Sequence, residues 1–375
     1  MSPARLAVSL IFLAILGTTQ PAEPATLLVT SAKTVQPESP AWVLCTTSDD
    51  AQFQYRWGQL DAKSGLFSYY RPDQSPLSPQ ILAPQEAVPG DLLKVEISET
   101  EDVDSIEARI VGSRQQILAS GTGFRPVESA QRERWVVLVG VSSLMAKGAY
   151  QLSVEVKSGD RQAVHLSQLS VRARTFRFER IPLTAGLTQL RTSEEPRKIA
   201  EAQELFRILT TAHPDALFEM DTIQNPLPAA RRTSGYGDRR KYIYSDNTSD
   251  VSVHEGLDLA MPEGTPVPAC GRGRVVLAGE RILTGNTVVI EHLPGLFSLY
   301  YHLAEIEVKV GDVVEQGQVI GKVGQTGLAT GPHLHWEIDA LGVAVDPDRL
   351  TAGPILDKTW ESGEIGNGKE SKGGE

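Results

Sequence analysis

Alternation of apolar and polar residues at a spacing of two constrains this chain more than any other feature. In LLKVEIS, Leu93, Val95 and Ile97 alternate with Lys94, Glu96 and Ser98, the pattern of a strand with one wet face. Similar runs recur from about Thr26 to Arg180: AWVLCTT, FQYRW and GLFSYY, then, after a proline-rich break from Pro72 to Pro89, SIEARIVG, RWVVLVGV and YQLSVEVKSGD. Runs this short, punctuated by Gly and Asp, predict a β-rich segment over 26–85 and a β-sandwich of immunoglobulin-like topology over 86–180. His165, in AVHLSQLSV, is expected on a solvent-facing strand position.

The period changes once. Between Ser193 and Ala212, Ile199, Ala202, Leu205, Ile208 and Leu209 fall at helical spacing, Pro196 suits a first turn and Pro214 follows the end. This predicts one amphipathic helix within a linker over 181–228, with His213 as a partner for its C-terminal dipole. From 229 to 350 the chain is again β-rich and rich in glycine. GTPVPACGRGRVV and GDVVEQGQVIGKV share a loose pattern, which suggests two related hairpin units packed together. The fold class is therefore mostly β: a sandwich-like N-terminal domain, a connecting helix and a C-terminal domain of paired hairpins. The stretch 351–375 is polar and expected to be disordered.

A chain of 375 residues can bury two or more cores. Its start has Arg5, an apolar run from Leu6 to Leu16 and then small residues, which reads as an export signal over 1–25, removed near Ala22 or Ala25. No cysteine follows that run and no later stretch is long and apolar enough to cross a membrane, so a soluble, exported protein of the periplasm or cell envelope is expected. Cys45 and Cys270 lie in separate domains with no spacing that argues for a bridge, and both read as small buried residues. The formal charge of -11 argues against a nucleic-acid partner.

The chemistry-bearing residues are histidines, of which the chain has seven. GPHLHWEI puts His333 and His335 on one face of a strand, opposite Leu334 and Trp336. Upstream, VHEGLDLA holds His254 and Asp258. In an extended strand their α-carbons would stand about 13 Å apart, so a bend is required, which Gly256 can supply. His254, Asp258 and one of His333 and His335 make a set of two imidazoles and one carboxylate. Three protein ligands leave a fourth position for water, the arrangement of a catalytic zinc site, and the remaining histidine would serve as a general acid or base. In LFSLYYHLAEIEV, alternation puts His302 on the face of Ser298 and Tyr300, as a further proton donor or oxyanion partner. His292, beside Pro294, reads as a turn residue.

The run from TSGYGDRR through HEGLD, GTPVPA, GNTVVIEH, YYHL and GPHLHWEI to VDP resembles the catalytic domain of the LytM/lysostaphin-type zinc metallopeptidases, over about a third of the chain. The resemblance implies a peptidase family M23 domain over 229–350 that cuts peptide bonds in bacterial cell-wall peptidoglycan, its stem peptides or crossbridges. It further implies one zinc ion held by His254, Asp258 and His335, with His302 and His333 as the catalytic histidines that do not bind it. Cys270 departs from the small residue usual at its turn and is expected to pack rather than coordinate.

Some members of that family have lost ligands and activate other wall hydrolases, so a non-catalytic regulator or wall-binding protein is the alternative. The N-terminal β domain would then be the module for a protein partner. VKVGDVVEQGQVIGKVG also resembles the hairpin of biotinyl and lipoyl carriers but lacks their attachment lysine. Arg231, Arg232, Arg239, Arg240 and Lys241 precede the first candidate ligand. They either line a groove for an acidic peptide or form a solvated loop.

Overall fold

The structure, a computed structural model, describes residues 41–45, 54–61, 66–70, 74–98, 102–126, 134–219 and 221–356. The expected export signal and the polar tail beyond 356 lie outside the described residues, as does the side chain of Cys45. The N-terminal part is one sheet built from β1 (Ala41–Cys45), β2 (Gln54–Asp61), β3 (Leu66–Tyr70), β4 (Gln80–Leu82), β5 (Glu86–Ala87), β6 (Leu92–Ser98), β7 (Ser105–Val111), β8 (Ile117–Phe124), β9 (Trp135–Gly140), β10 (Gly148–Ser158) and β11 (Arg161–Val171). Its order is β1-β2-β3-β11-β10-β7-β8-β9-β6-β4, with β5 beside β11. β8 joins what would otherwise be two layers, because it pairs with β7 along its length and with β9 only at Gly123 and Phe124. The sheet therefore curls over a core that includes Val95, Ile97, Ile106, Ile110, Leu152 and Val154.

The alternation of LLKVEIS is seen directly, with Leu93, Val95 and Ile97 buried and the residues between them half-buried. β9 has a different reason for its sequence. Val137 and Val139 face the N-terminal core, whereas Val136 and Leu138 belong to the core of the C-terminal domain. A strand buried on both sides has no wet face, which is why RWVVLVGV is a continuous apolar run.

The connecting segment holds β12 (Phe178–Pro182), α1 (Ala185–Thr192) and α2 (Pro196–Leu209). Two helices replace the single one expected. Thr184 caps α1 by accepting from the Leu187 amide at 3.3 Å, and Pro196 restarts the helical path at the head of α2. Ile208 and Leu209 are buried, but Ile199 and Phe206 are exposed, so only the end of the predicted apolar stripe packs. His213 is not a helix cap. α2 ends at Leu209, and the His213 ring instead sits 2.8 Å from the buried Glu291.

The C-terminal domain comprises β13 (Arg231–Ser234), β14 (Arg239–Ile243), β15 (Ser249–Val253), β16 (Gly256–Ala260), β17 (Pro266–Pro268), β18 (Gly273–Arg281), β19 (Gly285–Leu293), β20 (Leu296–Ile306), β21 (Val313–Val314), β22 (Val319–Val323), β23 (Leu334–Ala340), β24 (Val343–Val345) and a short α3 (Pro347–Leu350). β13-β16-β23-β20-β19-β18-β21 form the path of its ten-stranded sheet, while β12-β14-β15 make a separate small sheet. The two segments with the shared glycine pattern pair with each other: β17 with β22 and β18 with β21. On one face of β16, β20 and β23, Leu257, Leu259, Tyr300, Leu334, Trp336 and Ile338 fill the core. That packing pins the register, since a slip of one residue would turn His335 into this apolar core and Trp336 out of it.

Candidate metal centre and active-site groove

Asp258 projects from β16 and His335 from β23, and the two residues are directly opposite in the antiparallel pairing. His254 precedes β16 and is held by two backbone bonds, its amide to the Asp238 carbonyl and its carbonyl to the Gly237 amide. Gly256 permits this approach, although its backbone is not in the left-handed region that a sharp bend would use. A Cβ there would meet the Trp336 carbonyl oxygen at 2.4 Å and His335 Nε2 at 2.9 Å, so it is close packing that excludes a side chain.

Three polar atoms converge. His254 Nε2 lies 2.8 Å from His335 Nδ1, and each is 3.0 Å from Asp258 Oδ1. Hydrogen bonding fixes the tautomers. His254 Nδ1 donates to the Gly235 carbonyl at 2.8 Å, and His335 Nε2 faces Glu337 Oε2 at 3.4 Å. Two nitrogen lone pairs and a carboxylate oxygen therefore point at one spot, an arrangement that needs a proton or a cation between them. All three residues are buried and together could hold a metal ion. Two imidazoles and one carboxylate are a donor set suited to zinc, so the residues fit the group.

Titration behaviour reports the same crowding. Burial tends to lower His335, but its hydrogen bonds to Asp258 and Glu337 outweigh this and push it up to about 9. Burial would raise Asp258, yet the flanking histidines hold it well below the usual carboxylate range. His254, dominated by burial, is lowered.

His333 and His302 complete a second layer. His333 stands just before β23 and donates Nδ1–H to the Gly331 carbonyl at 2.8 Å, leaving Nε2 3.7 Å from Asp258 Oδ1. The His302 ring lies 4.8 Å from that of His333, centre to centre, and 6.4 Å from that of His335. Strict alternation would have placed it with Ser298 and Tyr300 in the core. Instead the pairing of β19 with β20 shifts register between Tyr300 and Leu303, and His302 has a φ of +62°. This bulge turns the ring onto the face of His335. His302 Nδ1 donates to the Thr326 carbonyl at 2.8 Å, and burial, followed by the neighbouring His333 and His335, lowers it to about 3. At neutral pH it is an uncharged ring with a free Nε2.

His292 is not a turn residue. It is buried in β19, with Nε2 2.7 Å from Ser298 Oγ and Nδ1 donating to the Arg272 carbonyl at 2.8 Å. Cys270 is a free, buried thiol 3.7 Å from His292, away from the converging atoms. Sequence reading missed three contributors. Glu337 was within reach, since HxHxE puts it on the face of both strand histidines. Tyr301, whose ring stacks on His335 at 5.1 Å, and Glu179 of β12 had no signal.

Among the five basic residues ahead of His254, Arg240 reaches Asp258 Oδ2 with one guanidinium nitrogen and Glu179 at 3.3 Å with another. Arg232 forms two bonds to Asp348, at 2.6 and 2.7 Å, and Arg239 binds the Ser143 and Gly237 carbonyls. A groove of ≈ 580 Å³ runs over the site. β12 and β13 wall it, and Asp258, His302 and His333 are among its lining residues.

Residues 252–347 match Peptidase family M23. Over 99 residues the chain is 46% identical to the peptidoglycan DD-endopeptidase ShyA of Vibrio cholerae, covering 26% of this chain and 23% of that protein. Over 122 residues it is 44% identical to the DD-carboxypeptidase/endopeptidase Mpg of Neisseria meningitidis, covering 32% and 27%. The chain thus spans about a quarter of the length of these curated relatives. The solved catalytic domain of lysostaphin from Staphylococcus simulans aligns over 34% of this chain and 95% of that one, with 33% identity and a TM-score of 0.29.

Proposed function

We propose that this chain, whose residues 252–347 form an M23 domain of the LytM/lysostaphin type, is a zinc-dependent endopeptidase that hydrolyses peptide bonds in bacterial cell-wall peptidoglycan. The observation that carries this reading is the meeting of three lone-pair donors at separations of 2.8 to 3.0 Å, one of which, Asp258, lines a groove. His254, Asp258 and His335 would hold the ion. Zinc supplies Lewis acidity to the scissile carbonyl and lowers the pKa of a bound water towards about 7.

The remaining chemistry belongs to the chain. His333 Nε2, its other nitrogen committed to Gly331, accepts the proton of the attacking water. His302 is held neutral, and its position beside His333 suits it to pass a proton to the leaving amine or to bond the developing oxyanion. Arg240, on the far oxygen of Asp258, orients the carboxylate so that its other oxygen faces the site. Export to the cell envelope follows from the same reading, because the substrate lies there. No helix among the described residues is long and apolar enough to cross a membrane.

The test is direct. Purified full-length chain, assayed for zinc, is incubated with sacculi and the released peptides are identified by mass. New amine and carboxyl termini that disappear on chelation and return with zinc support the reading. A zinc-loaded chain that releases no peptide overturns it and leaves a regulator of other hydrolases.

A further inference from the structure

The groove is walled on one side by a strand that lies outside the matched segment 252–347. β12 reaches it from the connecting segment, runs parallel to β14 and contributes Glu179, Arg180, Ile181 and, just beyond its end, Leu183. β13 contributes Arg231, Thr233 and Ser234 from the opposite side. The two walls are tied together where Ser234 Oγ donates to Glu179 Oε2 at 2.7 Å.

Charge in this groove does not balance internally. Its lining holds three guanidiniums, Arg180, Arg231 and Arg240, and two carboxylates, Glu179 and Asp258. Both carboxylates are bonded to Arg240. Arg180 and Arg231 are exposed, and neither guanidinium has a hydrogen bond or ion pair to a described residue. In a chain with 47 acidic residues against 36 basic ones, two arginines left without a carboxylate at the mouth of the catalytic groove have a free planar fork each. Arg232, the neighbour of Arg231, points away and is satisfied by Asp348, so the distinction is set by strand alternation.

We infer that Arg180 and Arg231 form a clamp for free carboxylates of the substrate peptide. The groove therefore selects anionic cross-linked peptides over neutral bridges, with half of that selectivity supplied by the connecting strand. This rests on the peptidase reading above and deepens it. The apolar members of the same lining, Ile181, Leu183, Leu328 and Pro332, accept the uncharged side chains between such carboxylates.

Binding is measured by calorimetry on the full-length, zinc-loaded His333→Ala chain, so that turnover does not consume the probe. The probes are a cross-linked peptide purified from digested sacculi and the same peptide with its carboxylates converted to carboxamides. The carboxylate form is expected to bind at least about 10-fold more tightly. Arg180→Gln and Arg231→Gln should each reduce that preference several-fold and together abolish it, along with most of the salt dependence. Arg232→Gln should leave it intact. Equal affinity for the two probes in the parent, or a preference that survives the double substitution, overturns the clamp. The catalytic reading fails separately, if the chain with His333 intact binds the peptide and does not cut it.

Discussion

Four histidines and Asp258 carry the site, and the environment of each ring nitrogen decides its part. His302 and His333 both commit Nδ1–H to a backbone carbonyl, at 2.8 Å each, so the neutral tautomer of each ring carries its lone pair on Nε2. Replacing either by alanine should lower turnover by about 10²–10⁴-fold while leaving one zinc per chain, the magnitude usual for general acid–base groups. Unchanged turnover in either variant removes that residue from the scheme. His335 makes a prediction about pH. In the metal-free chain its pKa is raised from 6.5 to about 9, so the bonds to Asp258 and Glu337 stabilise the protonated form fully below about 6.5 and are lost as pH rises through about 9. Zinc must displace that proton. Loading at pH 7 should release about one proton per ion, and affinity should rise with pH until it levels off near 9. Calorimetry in buffers of different ionisation enthalpy reads the number. No release at pH 7 would mean that the imidazole is already neutral.

At the scale of elements, β16, β20 and β23 hold the chemistry on one face because the other is packed with Leu257, Leu259, Tyr300, Leu334 and Trp336. Gly256 is the tightest point of that pairing. Gly256→Ala would drive a Cβ into the Trp336 carbonyl and the His335 ring. It should cost about 1–3 kcal/mol of stability and weaken zinc binding together, as read by denaturant unfolding and metal competition. A variant of undiminished stability and affinity would show that the strands can part without consequence. β20 shows what alternation cannot deliver. Its first residues obey the two-residue period, and the bulge at His302 breaks it, so the sequence rule sent a catalytic candidate to the wrong face. The same rule placed His333 and His335 on one face, as the structure has them, because β23 is regular and His333 is bridged to Gly324 just ahead of it.

Across the whole molecule, the two β-rich parts share material rather than touching at a point. β9 serves both cores, and Gly140 sits against Val343, where a Cβ would come within 2.9 Å. Arg174 joins the connecting segment to the C-terminal domain through Asp346 at 2.5 Å and to the N-terminal part through the Pro89 carbonyl at 2.8 Å. Asp346 is buried, so Arg174→Ala leaves a desolvated carboxylate and should cost about 1–3 kcal/mol. Thermal unfolding of the parent is expected to be a single transition that the substitution lowers or splits. If the variant melts like the parent, the ion pair does not couple the parts. Because β12 leaves this junction and becomes a groove wall, the geometry of the substrate site depends on how the N-terminal part is seated.

Sequence by itself determined what is local and periodic. It gave the strands, the face that His333, His335 and Asp258 occupy, the helix start at Pro196 and the run of motifs that match family M23. These are legible because a period of two, a proline at a first turn and fixed motif spacings follow from covalent geometry and short-range sterics. Only the tertiary structure decided the rest. It turned His302 by a bulge, buried His292 beside Cys270, satisfied three of the basic residues and left Arg231 free. It also brought Arg180 from a distant segment to the same groove. Each of those outcomes depends on which strand becomes whose neighbour, and contacts between residues far apart in the chain leave no periodic trace in it.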